Sequence, residues 1–237
     1  MDTIFRAATT FEVTSENGET RARSYVFRNH IYCKIDWNQD KSDDKLLGQP
    51  LEIDEYWLSL KELGFEKIDA ILPIPGHESP IRAYVFSGDR YGRIEYLPGD
   101  KRVSGPKKIT DGWPKLAEVG FQTIDEAVTR LVVGDGWNIT YFFSGNRYCQ
   151  VKWKETEDKT ELLLLDGGVN VRDIKDGWPQ PGFTRIDAIM PFPDRTWAYA
   201  FSGDHYARIA LVDSPPHKGT EARPVQNWQS LIEAKFY

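Results

Sequence analysis

Residues 82–94 read Arg-Ala-Tyr-Val-Phe-Ser-Gly-Asp-Arg-Tyr-Gly-Arg-Ile, and close copies of this stretch occupy residues 23–35, 139–151 and 197–209. The stretch predicts a β-hairpin, because Tyr84 and Phe86 alternate with smaller apolar residues and Ser-Gly-Asp supplies a turn. The copies align without a gap on three aromatic positions: Tyr25, Tyr84, Tyr141 and Tyr199; Phe27, Phe86, Phe143 and Phe201; Tyr32, Tyr91, Tyr148 and Tyr206. A motif that recurs about every 58 residues indicates a repeat architecture.

The composition is typical of a turn-rich β protein with a hydrophobic core. The 237 residues are 40% hydrophobic and 13% aromatic, and they include 14 prolines and 19 glycines. One repeat alone has too little apolar surface to stay folded. We therefore expect one domain over residues 1–237, with units at about residues 1–65, 66–121, 122–183 and 184–237.

The net charge of -6 argues against nucleic-acid and anionic-membrane partners, because such surfaces need clustered Lys and Arg. The N-terminus lacks a basic start followed by an apolar run, and no segment is long and apolar enough to span a membrane. We therefore expect a cytoplasmic protein without membrane insertion. Cys33 and Cys149 hold the same position in the first and third repeats, so we expect them to be far apart, buried and reduced.

Three of the four repeats place an apolar segment with an acid before the hairpin, at residues 68–71 (Ile-Asp-Ala-Ile), 124–128 (Ile-Asp-Glu-Ala-Val) and 186–189 (Ile-Asp-Ala-Ile), and in the first repeat Arg6 stands where the others have Asp. Variable loops are expected at residues 14–20 and 73–80. After the hairpin, an outer strand and a short helix close each unit; the closing tryptophans are Trp57, Trp113, Trp178 and Trp228. Four such units predict an all-β fold, a four-bladed β-propeller, because radial repetition protects the sheet edges.

The opening Asp-Ala, the Tyr-x-Phe-x-Gly-x-x-Tyr hairpin and the closing Trp-Pro together resemble the hemopexin-like repeat, and the resemblance covers the whole chain. Hemopexin-like domains of secreted metalloproteases join their first and last blades by a terminal disulfide, whereas this chain has no cysteine at either end. It is instead similar to the stand-alone hemopexin-fold proteins of seeds, the albumin-2 type, and to related lectin-like modules. Asn29 replaces the turn glycine of the first hairpin, which is tolerable because Asn adopts positive φ readily.

The resemblance implies a cation, calcium or sodium, held in the central channel by main-chain carbonyls. The matching positions are Asp69, Asp125 and Asp187, with Arg6 in the first repeat. Oxygen donors suit such hard cations. Two alternatives remain: the aspartates only cap backbone groups at the strand starts, or Arg6 pairs with an aspartate and takes the place of the ion.

A second predicted site is the ring of hairpin tips, which up-and-down strands place around the same channel mouth. Its members are Asn29, His30, Asp89, Arg90, Asn146, Arg147, Asp204 and His205. These amides, acids and cations beside aromatic residues could hydrogen-bond sugar hydroxyls or a polyamine. The alternative is that they are ordinary polar turns.

Catalytic motifs are absent: the four histidines show no metal-ligand spacing, and no nucleophile elbow, phosphate loop or dinucleotide fingerprint occurs. We therefore expect a non-enzymatic binding protein for a glycan or a small molecule. Carbohydrate is the favoured ligand, and binding of spermine or haem, or storage, is the alternative. A homodimer is left open.

Overall fold

The computed structural model describes residues 6–16, 18–40, 43–78, 80–97, 99–133, 136–155, 160–163, 170–211 and 215–236. Residues 1–5, which bear on the expectation of no leader segment, lie outside the described residues. No helix in the described ranges is long and apolar enough to cross a membrane. Cys33 and Cys149 are both buried and free, as the sequence predicts.

Four antiparallel sheets follow one another along the chain. The first contains β1 (Ala7–Glu16), β2 (Glu19–Arg28), β3 (Ile31–Asn38), β4 (Lys45–Leu46) and β5 (Leu51–Glu52). The second contains β6 (Ala70–Glu78), β7 (Ile81–Ser87), β8 (Arg90–Leu97) and β9 (Lys101–Lys108). The third contains β10 (Glu126–Val133), β11 (Trp137–Ser144), β12 (Arg147–Lys154), β13 (Thr160–Leu163) and β14 (Arg172–Asp173). The fourth contains β15 (Ala188–Pro191), β16 (Trp197–Ser202), β17 (His205–Ala210) and β18 (Arg223–Pro224).

The predicted four-bladed propeller is confirmed by the order of the strands. Each sheet runs from its first strand outwards in chain order, and the strands β1, β6, β10 and β15 contact one another in a closed ring. These four innermost strands therefore surround a central channel. The quoted stretch forms the β7–β8 hairpin, in which Tyr84 pairs with Arg93 and Phe86 with Tyr91.

The closing segment differs from the single helix that the sequence predicts in three of the four blades, which have two short helical turns each. The helices are α1 (Ile53–Tyr56), α2 (Leu58–Leu63), α3 (Ile109–Gly112), α4 (Pro114–Glu118), α5 (Ile174–Gly177) and α6 (Gln229–Glu233), with a 3₁₀ turn at Val225–Asn227. Trp113 ends α3 and also precedes α4, whose first residue is Pro114. Proline disfavours the helical conformation of the residue before it, which suits the break at Trp113, although Trp57 stands at the same kind of break with Leu58 after it. The Trp therefore sits at a break between two short turns.

The closing tryptophans pack between blades, as expected. Trp113 of the second blade has its ring 5.1 Å from Phe142 and 5.6 Å from Trp153 of the third. Trp228 of the last blade lies 6.2 Å from Trp37 of the first, so the same kind of contact closes the ring. These aromatic clusters bury the apolar face that one blade alone could not cover.

The loops expected at residues 14–20 and 73–80 are largely strand. In the first blade, β1 and β2 stay paired from Thr14 opposite Arg21 to Glu16 opposite Glu19. In the second, β6 continues to Glu78, which pairs with Ile81. The prediction was wrong because polar residues and prolines were taken as loop. Thr14 and Thr20 favour extended backbone, and in the second blade an irregularity of the ladder between Pro73 and Glu78 accommodates the prolines.

Candidate functional site

The three recurring aspartates each hold the hairpin tip of their own blade. The carboxylate Oδ2 of Asp69 accepts the backbone N–H of Gly88 at 2.7 Å, and Asp187 accepts that of Gly203 at 2.8 Å. Asp125 makes the same bond to Gly145. These glycines have positive φ, which a hairpin turn requires and which residues with a side chain adopt at a cost. The aspartates therefore cap the hairpin turns of their own blades, whereas the capping alternative drawn from the sequence had them cap backbone groups at the strand starts.

Cationic side chains lie beside Oδ1 of each of these carboxylates, the oxygen that does not accept the glycine N–H. Arg6 Nη1 lies 3.7 Å from Asp69 Oδ1, and Lys67 Nζ lies 3.6 Å from the same atom. Arg185 approaches Asp187 Oδ1 at 2.8 Å through Nε and Asp125 Oδ1 at 3.9 Å through Nη2. We name this end of the channel, formed by Arg6, Asp69, Asp125 and Asp187, the aspartate mouth. Its carboxylates are all compensated by cations.

The side chains of the aspartate mouth do not fit a calcium site. One oxygen of each carboxylate accepts a glycine N–H and the other faces a cation, so few side-chain donors remain. Within the described residues, no group of three or more His, Cys, Asp and Glu side chains could hold a metal ion. Main-chain carbonyls are the donors left for a channel cation.

Glu126 is a buried acid that sequence analysis did not single out. It follows Asp125 at the position where the other blades carry Ala7, Ala70 and Ala188, and its relative exposure is 0%. Oε1 accepts the N–H of Ala127 and Oε2 that of Ile189, both at 2.8 Å. Burial raises the pKa of Glu126 well above its ordinary value, although these amides oppose the shift.

The predicted tip residues form exposed turns at the aspartate end, where their backbones also anchor the closing segments. The carbonyls of His30, Asp89, Asn146 and Asp204 accept the N–H of Ile53, Ile109, Ile174 and Val225. His30 is therefore equivalent to Asp89, Asn146 and Asp204, each of which is the first residue of its predicted pair. The predicted pair Asn29 and His30 is thus shifted by one residue relative to the pairs of the other three blades. Among the remaining tip residues, Arg90 is exposed, Arg147 lies 5.5 Å over the ring of Phe121, and His205 contacts Asp204 at 2.6 Å.

A large cavity opens at the end of the channel opposite the aspartate mouth. The innermost strands begin at the aspartate mouth, and their residues from the second position after the aspartates (Ala8, Ile71, Ala127 and Ile189) to the far ends line a cavity of about 1000 Å³. Its wall includes Thr9, Thr10, Phe11, Pro73, Ile74, Thr129, Arg130, Pro191, Phe192 and Arg195. We name it the channel cavity. None of the predicted site residues is among those that line it.

One level of the channel cavity is built from equivalent residues, the fifth after the aspartate position in each blade. Phe11, Ile74 and Phe192 make this level apolar in three blades, whereas Arg130 stands in the third. Phe11 lies 4.2 Å from the Tyr25 ring, and the Arg130 guanidinium lies 6.0 Å over the equivalent Tyr141. Aligning the four repeats would have shown this arginine in place of an apolar residue.

Comparisons with known proteins agree with this architecture. No family model matches the chain. Albumin-2 of Pisum sativum is 27% identical over 208 residues, which are 84% of this chain and 82% of that one. Albumin-2 of Lathyrus sativus is 26% identical over 84% of this chain and 83% of that one.

Solved structures of plant proteins superpose on nearly the whole chain. The hemopexin fold protein CP4 from cow pea has a TM-score of 0.76 and 27% identity, and 98% of each chain is covered. A plant albumin from Cicer arietinum showing hemagglutination has a TM-score of 0.75 and 25% identity over 97% of each chain. A plant lectin with two metal binding sites, also from Cicer arietinum, has a TM-score of 0.72 and 26% identity over 97% of each chain.

The closed ring of four antiparallel sheets, with these neighbours, defines the chain as a four-bladed propeller of the hemopexin fold. Within that class it is similar to the albumin-2 and hemopexin-fold proteins of seeds, as the repeated motifs predict.

Proposed function

We propose that this protein is a non-catalytic carbohydrate-binding propeller and that the sugar binds in the channel cavity. The observation that carries the proposal is the cavity itself, about 1000 Å³ of concave space between all four blades. Ligand sites are typically concavities of roughly 300–1,000 Å³ with mainly apolar walls and a few placed polar groups. The seed relatives support a binding or storage role without catalysis.

The lining of the cavity suits the two kinds of surface that a sugar presents. Phe11, Phe192 and the prolines 73 and 191 offer apolar faces for the C–H groups of a pyranose ring. Thr10 offers a hydroxyl, which donates to the Pro191 carbonyl at 3.1 Å and lies 3.2 Å from the Ser24 hydroxyl. A hydroxyl that already donates keeps a free acceptor lone pair for a ligand.

The similarity to solved plant proteins also supports carbohydrate binding, but less specifically than the cavity does. Hemagglutination is described for the Cicer arietinum albumin, which aligns over 97% of this chain. Agglutination requires a protein that joins cells through more than one binding site. A second protein from Cicer arietinum that aligns with this chain is described as a plant lectin, and we extend carbohydrate binding, but not the number of sites, to this chain.

Spermine and haem are the small-molecule alternatives, and the charges of the cavity weigh against spermine. Arg130 and Arg195 line the wall, and like charges would repel a polyamine. The acid Glu12 also lines it, but its Oε2 already contacts Arg23 Nη1 at 3.0 Å. Haem carries carboxylates, which these arginines would not repel, so it is included in the binding experiment as the second small-molecule ligand.

A channel cation belongs to the same proposal, with sodium favoured over calcium. Its donors would be main-chain carbonyls of Arg6, Asp69, Asp125 and Asp187, since the carboxylates are occupied. Because Arg6, Lys67 and Arg185 already compensate these acids, little net negative charge is left to attract a divalent ion. The lectin from Cicer arietinum described with two metal binding sites lends support to a bound metal.

We also propose that the protein works in the cytoplasm, where thiols stay reduced. Cys33 and Cys149 are free and 1% exposed, and burial raises the pKa of the Cys33 thiol to about 12. Fractionation of the source tissue with an antibody to the protein tests this location.

A glycan array beside spermine and haem titrations tests the ligand class. The array should give glycan signals with the wild type and weaker ones with Val13→Trp, because Val13 lines the cavity and is 50% exposed at its opening. Leu162→Trp is the matched control, since Leu162 is 49% exposed on the outer strand β13, outside the cavity lining. We expect Val13→Trp to weaken glycan binding at least about tenfold and Leu162→Trp to leave it unchanged. Saturable spermine or haem binding with a blank array would replace carbohydrate by the small-molecule function.

A further inference from the structure

Arg130 is turned into the channel cavity by a break in its strand. The β10–β11 register shifts between Thr129 and Leu131, so Arg130 is the extra residue of a bulge. A bulge leaves one residue unpaired in the ladder and re-aims its side chain. The Nε of Arg130 is buried without a hydrogen-bond partner, and no ion pair joins its guanidinium to a carboxylate of the described residues. A guanidinium held at a cavity wall in this way can bind an incoming acceptor.

Arg195 reaches the same cavity from the β15–β16 turn. Its N–H donates to the Phe192 carbonyl at 2.8 Å, and its φ of 56° lies in the left-handed region. Hairpin loops usually place Gly or Asn there, because a longer side chain is strained. The side chain is also partly buried, and desolvation lowers the pKa of this Arg. A strained backbone and a partly desolvated guanidinium are both unfavourable, so a stabilising ligand contact would account for the residue.

The acids at the cavity are engaged elsewhere. Glu12 contacts Arg23, as described, and the exposed Asp194 accepts the backbone N–H of Thr196 through Oδ1 at 3.0 Å. Among the residues that the structure describes, Arg130 and Arg195 therefore face the cavity without a carboxylate partner. The wall between them offers apolar faces and threonine hydroxyls, which suit an organic anion better than a bare inorganic one.

We propose that the channel cavity selects carbohydrates that carry a carboxylate, a hexuronate or a glycan ending in one, and that Arg130 and Arg195 bind this carboxylate. The inference rests on the proposed carbohydrate function and names its ligand class. Guanidinium presents paired N–H donors that match the two oxygens of a carboxylate, and such charge-assisted bonds are about twice as strong as neutral ones. The ring of the sugar then lies against Phe11, Phe192 and the prolines.

Two substitutions separate this role from a structural one. Arg195→Gly removes the guanidinium and fits the positive φ, so it should raise the melting temperature while weakening hexuronate binding. Arg130→Leu places an aliphatic residue where the second blade has Ile74, so it should fold normally. Arg223→Ala is the matched control, because Arg223 is an exposed arginine of β18 outside the cavity lining, and Arg90→Ala tests the alternative ring of hairpin tips.

Isothermal titration of the full chain would compare galacturonate and glucuronate with galactose, glucose and citrate, at low and at physiological salt. We expect the wild type to bind a hexuronate at least about tenfold more tightly than its neutral hexose, and the preference to shrink at higher salt. Arg195→Gly and Arg130→Leu should each remove most of this preference, and Arg223→Ala and Arg90→Ala should keep it.

Equal affinity for acid and neutral sugars, unchanged in Arg195→Gly and Arg130→Leu, would overturn the inference and leave the carbohydrate function standing. Binding of citrate but of no sugar would overturn the carbohydrate function and keep the arginine site as a carboxylate site. Loss of hexuronate binding in Arg90→Ala alone would move the site to the hairpin tips and overturn the inference. No binding of any probe would overturn both.

Discussion

The carboxylate of Glu126 in the third blade accepts the backbone N–H of Ile189 in the fourth at 2.8 Å. Its other oxygen accepts the N–H of Ala127, and the backbone of Ala8 in the first blade lowers the pKa of the same carboxyl. One acidic side chain thus joins the innermost strands of the third and fourth blades at the axis and interacts with that of the first. Small alanines at the equivalent positions of the other blades leave the space for it.

Glu126 should make the stability of the protein fall as pH rises. Its folded pKa is raised above the ordinary 4.5 by burial, so above that pH the folded state keeps a proton that the unfolded chain has lost. Stability then decreases with pH by up to about 1.4 kcal/mol per unit, until pH passes the folded pKa. Urea unfolding of wild type and Glu126→Gln across this range measures the slope.

Glu126→Gln should remove that part of the pH dependence, because an amide does not titrate and still accepts an N–H. The difference between the two proteins isolates Glu126 from Asp187, whose pKa burial also raises. Equal slopes for wild type and Glu126→Gln would show that the carboxyl does not hold a proton in the folded state.

The aspartate caps should contribute measurably to stability. Asp187→Ala removes an acceptor from the Gly203 N–H and leaves Arg185 without its 2.8 Å partner. We expect a loss of about 1–3 kcal/mol, the usual cost of an unsatisfied buried group with charged partners. Chemical denaturation measures it, with Asp89→Ala as the control.

Asp89 is an exposed acid of a hairpin tip, so its substitution should change stability by less than about 0.5 kcal/mol. A result in which Asp187→Ala and Asp89→Ala cost the same would mean that the cap contributes nothing beyond an ordinary surface acid.

The sequence predicted the propeller because its signal is local and repeated. Tyr84, Phe86 and Tyr91 show the period-two pattern of a half-buried hairpin, and the same pattern occurs in phase in all four blades. The aspartates were found for the same reason. The structure shows that they cap the turn glycines Gly88, Gly145 and Gly203. Repetition therefore made it possible to predict both the fold and the aspartates of the aspartate mouth from the sequence.

The channel cavity was not predicted, because it has no local signature. It combines Phe11, Arg130 and Arg195, which come from three blades and meet only once the ring has closed. The positive φ of Arg195 follows from the geometry of its turn and cannot be read from the residue type. Glu126 was visible as a break in the repeated Asp-Ala pair, but only the structure shows three blades contacting it.

The closing tryptophans should be among the most costly residues to remove. Trp113 is fully buried against Tyr84, Phe142 and Trp153, so Trp113→Ala should destabilise by about 3–5 kcal/mol. Trp137→Ala is the control, since Trp137 is only partly buried and lies under Lys152. Denaturation midpoints of the two variants give the comparison, and a Trp113→Ala loss below about 0.5 kcal/mol would place that side chain outside the core.

Arg6 should suppress calcium binding at the aspartate mouth. Its guanidinium lies 3.7 Å from Asp69 and balances part of the negative charge that a divalent ion needs. In the wild type, chelator or millimolar calcium should therefore leave the melting temperature unchanged. Arg6→Ala removes one of the two cations at Asp69 and makes the channel mouth more negative by one charge, and added calcium should then stabilise the folded state by about 2.7 kcal/mol at a hundredfold excess over Kd. Lys61→Ala serves as the control, since Lys61 is an exposed lysine on α2. A wild type that melts at a lower temperature in chelator, and recovers with calcium, would contradict the role given to Arg6 and restore calcium as the channel ion.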